Sequence, residues 1–194
     1  MASFAVLVAV GCHHDEKRPE PAPNQPVTII PPDEVGPTTH KSTGTVTVYR
    51  LARTAEERKA ADENGLVPVT MRIPIDSKAP ARDAIAHLID ADGSPIPDGT
   101  ELTKIKIDDD TGLATLDFSS QFVSNFKGGD KVEAQIINSI RATLGQFSNV
   151  RDVRILVAGK KISQLGGTID LSDPLPVIRT TGSAPAPEKG AGPV

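Results

Sequence analysis

The stretch TGLATLDFSSQFVSNFKGGDKVEAQIINSIRATLGQF, residues 111–147, sets Asp117, Ser119, a Gly128–Gly129 pair and Glu133 before or within a long amphipathic run. Residues of these types could form three kinds of site. A serine nucleophile needs a base that titrates near neutrality, most often a histidine oriented by a third group. Two neighbouring carboxylates can divide acid and base roles, and Asp117 with Glu133 is the best candidate pair. Glycines that open a helix can cradle a phosphate. Each reading meets an obstacle. His13, His14 and His40 precede the foldable segment, and His87 falls roughly opposite Ile85 and Ile89 on a helical wheel, so it should face water. Asp130 directly follows the two glycines and would repel an anion from the helix start. The alternative is structural. Asp130 as N-cap and Glu133 at the third helical position would form a capping box and complement the helix dipole. Ser119 or Ser120 would then cap a short preceding turn, SSQFVSNF, with Phe122 and Phe126 four apart and plugging the core. The expectation is a domain with no catalytic residue and no cofactor.

Metal readings are equally thin. His13–His14 is a pair of adjacent imidazoles, whereas zinc needs three or four converging ligands. Asp108–Asp109–Asp110 resembles the start of a calcium loop, but Gly112 stands at the fifth position rather than the sixth. Ser119 also occupies the twelfth, where a bidentate glutamate belongs.

The elements that must position these residues follow from hydrophobic period. TVTVYRL alternates Val46, Val48 and Arg50 with Thr45, Thr47 and Tyr49, a strand pattern. ARTAEERKAADENG reads as a solvated loop or short helix, and LVPVTMRIP as a second strand that either sits at an edge or begins after Pro68. In SKAPARDAIAHLIDA the period changes: Ala81, Ile85, Leu88 and Ile89 share a helical face, with Pro80 in the first turn. ELTKIKID and GLATLDF form the clearest hairpin, turning at DDDTG with Gly112 free to take positive φ. Val132, Ile136, Ile137, Ile140, Leu144 and Phe147 make one helical stripe. VRDVRILVAG is a buried strand, and KKISQLGGTIDLSDPL a short hairpin or terminal strand bending at Gly166–Gly167. This order predicts an α+β fold, a mostly antiparallel sheet with two helices packed on one face.

Composition bounds the rest. Apolar residues are 38% and charged residues 24% of the 194, enough for one folded domain, while 11 of the 17 prolines fall outside it, seven between His13 and Thr43 and four from Pro176 onward. Aromatics are 3%, Trp is absent and the net charge is −4, so a basic, stacking nucleic-acid surface is not expected. MASFAVLVAVGC is a short apolar run, too short to span a bilayer, that ends in small residues and the lone cysteine. Ala9-Val10-Gly11-Cys12 resembles a bacterial lipobox, in which Cys12 is acylated. The expected organisation is a lipoprotein signal over residues 1–12, a proline-rich disordered tether over 13–43, a domain over 44–175 and a disordered tail over 176–194.

Within the domain, GLATLDFSSQF, GGDKVEAQIINSIRATLGQFSNVRDVRILVAGK and GGTIDLSDPL resemble the GerMN family of sporulation and spore-germination proteins. Ala114, Thr115, Asp117, Phe118 and Ser119 match the family's strand end; Gly128, Gly129 and Glu133 match its helix start. Ser139, Ile140, Thr143, Leu144 and Phe147 match its helix, and Asp170, Leu171, Ser172, Pro174 and Leu175 its final motif. The resemblance covers residues 43–175 in one copy. It implies an extracytoplasmic α+β module similar to the ring-building motifs of channel proteins, with no catalytic residues. The expected partners are a membrane, through the lipid on Cys12, and an envelope protein or further copies of the chain. A ligand- or peptidoglycan-binding lipoprotein using Asp117 and Ser119 is the alternative.

Overall fold

In a computed structural model the described residues are 43–179; Cys12, His13, His14 and His40 lie outside them. The architecture is α+β, as the pattern predicts. It comprises a two-stranded ribbon, a five-stranded sheet and the helices between them.

The ribbon pairs β1 (Thr43–Leu51) with β2 (Leu66–Pro74) antiparallel, from Thr43↔Pro74 at its open end to Leu51↔Leu66. Val46 and Val48 are buried as the alternation requires, but Tyr49 is buried too. Its backbone N–H donates to the Thr143 hydroxyl at 3.1 Å, so β1 lies edge-on against a helix rather than one face to solvent. Gln146 completes that seam. It accepts from the Thr47 N–H at 2.9 Å and donates to the Thr47 carbonyl at 2.7 Å.

The segment joining the strands contains α1 (Ala55–Ala60), where Thr54 and Glu57 form a capping box. Glu57 also binds the Arg50 guanidinium with both oxygens, at 2.7 and 3.2 Å. That contact, with the Arg53 amide, holds its carboxyl at about 2.

The second helix, α2 (Pro80–Asp90), starts with Pro80 at a position that needs no donor, and buries Ala81, Ala84, Ile85 and Leu88. β3 (Leu102–Asp108) and β4 (Leu113–Phe118) form the expected hairpin, with Gly112 at φ 73°. After a single turn, α3 (Gln121–Ser124), the long α4 (Asp130–Leu144) carries the chain back, so that β5 (Asp152–Val157) runs parallel to β4. The parallel pair is invisible to a periodicity argument, because it is created by the crossover and not by either strand.

β6 (Lys160–Lys161) and β7 (Leu175–Pro176) are two-residue strands that share the outer edge of β5. Ala114, Leu116 and Phe118 of β4, with Val153, Ile155 and Val157 of β5, point into one core with Ile85, Leu88, Ile136, Ile137 and Ile140 of α2 and α4. Phe118 and Phe122 stack there, centroids 4.6 Å apart and planes 7° from parallel.

The chain beyond Pro176, expected to be disordered, is fixed through Arg179. Val177 N–H donates to the Arg151 carbonyl and Ile178 N–H to that of Arg141. The Arg179 guanidinium spans the carbonyls of Gly145 (3.0 Å) and Val150 (2.6 Å). Gly145 is what lets this strap approach. Its backbone is ordinary right-handed helix, but a Cβ there would collide with the Ile178 carbonyl. Gly145→Ala should therefore cost about 1–3 kcal/mol in urea denaturation, and hydrogen exchange should quicken at Val177 and Ile178.

Candidate functional site

The motif residues separate into three unconnected contacts. Asp117 points from β4 away from the core, and its carboxylate accepts from the Gly159 N–H at 2.8 Å. Gly159 (φ 74°) and Ala158 (φ 49°) form the two-residue turn between β5 and β6, a left-handed pair that suits a hairpin. Asp117 thus ties a neighbouring turn to the end of its own strand.

Ser119 neither attacks nor caps. Its hydroxyl accepts from the Glu101 N–H at 3.0 Å while its own N–H donates to the Glu101 carbonyl, closing the β3–β4 end of the sheet. The expected serine cap is absent, since α3 has no side-chain cap bond at Ser120.

The expected capping box on α4 is also corrected. Gly129 is the N-cap, Asp130 is already the first helical residue, and no side chain caps the turn. Glu133 is fully buried and reaches away from its own helix start. One oxygen accepts from the N–H groups of Leu165 (3.1 Å) and Gly166 (2.8 Å), the other from Thr168 (2.8 Å) and Ile169 (3.2 Å). Gly166–Gly167 is accordingly not a hairpin bend but the crest of a loop wrapped around a carboxylate. Gly167 sits at φ 103°, and a Cβ on Gly166 would press on Phe126 and on Glu133 itself. Burial alone would raise the Glu133 pKa, but the four amides outweigh it and hold the carboxyl below its usual range.

Sequence reasoning missed this clasp, yet a signal was present. Glu133 lies three, four and seven residues before Ile136, Ile137 and Ile140, on the apolar stripe itself. An acid in that position is either wrongly placed or matched by donors brought from elsewhere.

Asp117 and Glu133 lie on opposite sides of the five-stranded sheet, because Asp117 alternates outward from Leu116 and Phe118 while α4 covers the inner face. They cannot act as an acid–base pair. His87, expected to face water, is half-buried on α2 and hydrogen-bonds to none of the motif residues. Asp108 accepts from the N–H and hydroxyl of Thr111, both at 2.9 Å, which lowers its pKa and makes the DDDTG segment an ordinary turn. Among the described residues no three His, Cys, Asp or Glu side chains converge as a metal site. A cleft of about 200 Å³ between α2 and the start of β3 is lined by Arg82, Ile89, Asp90, Glu101 and Leu102, and none of the motif residues borders it.

The Germane family, described as sporulation and spore germination, matches residues 40–163. The chain belongs to that family. Spore germination protein GerM of Bacillus subtilis (strain 168) is 29% identical over 197 residues, an alignment covering 88% of this chain and 52% of GerM. The chain thus spans about half the length of this curated relative. Two solved structures from Bacillus subtilis are similar. The tandem GerMN domains of the sporulation protein GerM share 28% identity and a TM-score of 0.51, over 75% of this chain and 48% of that one. The first GerMN domain alone shares 27% identity and a TM-score of 0.50, over 69% of this chain and 97% of that one. Among the described residues no helix is long and apolar enough to cross a membrane.

Proposed function

We propose that the protein is a non-enzymatic, lipid-anchored component of the bacterial cell envelope, whose single Germane domain mediates protein–protein assembly outside the cytoplasm. The observation that carries this reading is the fate of the motif's polar groups. Asp117, Ser119 and Glu133 are each spent on backbone amides of the domain itself. A motif used this way shapes a surface rather than a reaction. Its likeness to GerM, a spore germination protein, extends the proposal to envelope complexes of the sporulation or germination type. The anchor is Cys12, within the lipobox-like Ala9-Val10-Gly11-Cys12.

Two measurements test the proposal. Mass spectrometry of the protein from native membranes should find Cys12 acylated at the mature N-terminus, and Cys12→Ser should move the protein out of the detergent phase. An unmodified Cys12 in a soluble mature protein would refute the anchor. Crosslinking in the same membranes should capture a defined protein partner or a further copy. Saturable binding of muropeptides would instead support a ligand-binding lipoprotein using the region of Asp117 and Ser119.

A further inference from the structure

We propose that the uncovered face of the five-stranded sheet docks on an anionic lipid surface through Lys104, Lys106, Arg154 and Lys161. The strand registers place these residues together. Lys104 pairs with Asp117, Asp117 with Leu156, and Leu156 with Lys161, forming one row across β3, β4, β5 and β6. Lys106, Thr115 and Arg154 form the adjacent row. Side chains opposite one another on a sheet share a face, so all four cations project from the side turned away from the core.

At strand spacings of about 4.8 Å and row spacings of about 7 Å, they occupy an area roughly 14 Å by 7 Å. α2 and α4 lie on the inner face with the core, and on the outer face Lys104, Lys106 and Lys161 are exposed and Arg154 half-buried. The cluster does not follow from composition, since the chain as a whole has a net charge of −4.

None of the four cations makes a hydrogen bond or ion pair with another described residue. The Arg154 Nε is covered by its surroundings yet has no acceptor. Asp117, in the middle of the first row, keeps its negative charge while accepting from the Gly159 N–H, so the two rows carry four cations against one carboxylate. Asp108, one pleat from Lys106, is charged as well, its pKa held low by Thr111 and in part by Lys106. Asp108 and Asp152 stand together in the next row, so the face is basic at one end and acidic at the other. Only the basic end meets the lipid.

The layout selects the partner. A small anion would need converging donors, whereas these four are spread across a pleated surface. An acidic peptide would fit a groove or a strand edge, but Thr115 and Leu156 fill the ground between the cations and leave no groove. A two-dimensional array of separated charges complements a plane of phosphate headgroups, each cation near such a surface adding about fivefold to binding.

The test uses the full chain carrying Cys12→Ser, so that the outcome is independent of whether Cys12 is acylated in the cell. Co-sedimentation is measured with vesicles of equal parts phosphatidylglycerol and phosphatidylcholine, and with phosphatidylcholine alone. The expected result is binding that requires phosphatidylglycerol and weakens as salt is raised. Each cation contributes about fivefold, so Arg154→Gln should lose about fivefold and the Lys104→Glu/Lys106→Glu double variant at least about twenty-five-fold. Lys59→Glu/Lys131→Glu changes net charge equally from exposed positions on α1 and α4, and should stay within about twofold of wild type. Equal binding to both vesicle types, or equal losses in the two double variants, overturns the proposal. So does tighter binding to soluble polyglutamate than to vesicles, which would assign the face to an acidic polypeptide.

Discussion

Replacing Glu133 by alanine should lower the unfolding free energy by about 3–5 kcal/mol, the largest loss expected from any polar residue in the domain. The carboxylate is fully buried and accepts from four amide donors, those of Leu165, Gly166, Thr168 and Ile169. Removing it leaves those N–H groups unmatched and detaches the loop that places Ile162, Leu165, Ile169 and Leu171 against the core. Denaturant unfolding measures the loss, and hydrogen exchange at Gly166 and Thr168 locates it. Glu133→Gln preserves the shape but turns an amide NH2 group toward one pair of donors, so it should recover only part of the stability. pH provides an independent readout. The folded carboxyl titrates below its usual range. Its contribution is therefore fully present above the unfolded glutamate value of about 4.3. It declines as pH falls through that value and is gone once pH passes the lower folded value. Wild type should lose stability across this acidic window more steeply than Glu133→Gln. Parallel pH curves for the two proteins would show that the clasp contributes no charge-dependent stability.

Phe118→Ala should cost about 3–5 kcal/mol by a different route, the cavity left in a packed interior. Phe118 ends β4 with no exposed surface and lies flat on Phe122 of α3. Truncating it removes the contact that holds α3 under the sheet and leaves Phe122 facing a void. A double-mutant cycle with Phe122→Ala should return a coupling of about 0.5–1.5 kcal/mol, the amount typical of an aromatic pair beyond area burial. Additive losses would mean that the two rings are merely neighbours.

Much of this architecture is legible in the residues. Period two places β3 and β4, period 3.6 places α2 and α4, and Gly112 marks the hairpin turn, because each signal arises within one segment. What the segments do to one another is less visible. The parallel β4–β5 pair depends on where α4 delivers the chain. The burial of Tyr49 depends on Thr143 and Gln146 meeting β1 edge-on. The spacing of Asp130 and Glu133 points to a capping box, whereas the box that forms is Thr54 with Glu57. Both have an acid at the third position or close to it, and they differ in what that acid can reach. Glu57 has its own N-cap amide and Arg50, while Glu133 has a ring of amides from a loop more than thirty residues away. The GerMN-like motif is recognisable from the types and order of Asp117, Phe118, Ser119, Gly128, Gly129 and Glu133, but these do not reveal which backbone groups the side chains satisfy.

The edge-on seating of β1 also decides how the domain bears load. A pull applied through the chain before Thr43 enters at the open end of the β1–β2 ladder, where cross-strand pairs separate in succession rather than shearing together. The pairs from Thr43↔Pro74 to Val46↔Met71 resist only as a zipper would. At Thr47 the geometry changes, because the Gln146 amide, two residues beyond the end of α4, grips that residue through both its N–H and its carbonyl. Tension that has opened the first pairs is there handed to α4, and through its buried stripe to the whole core. The ribbon is a short length of slack with a built-in stop.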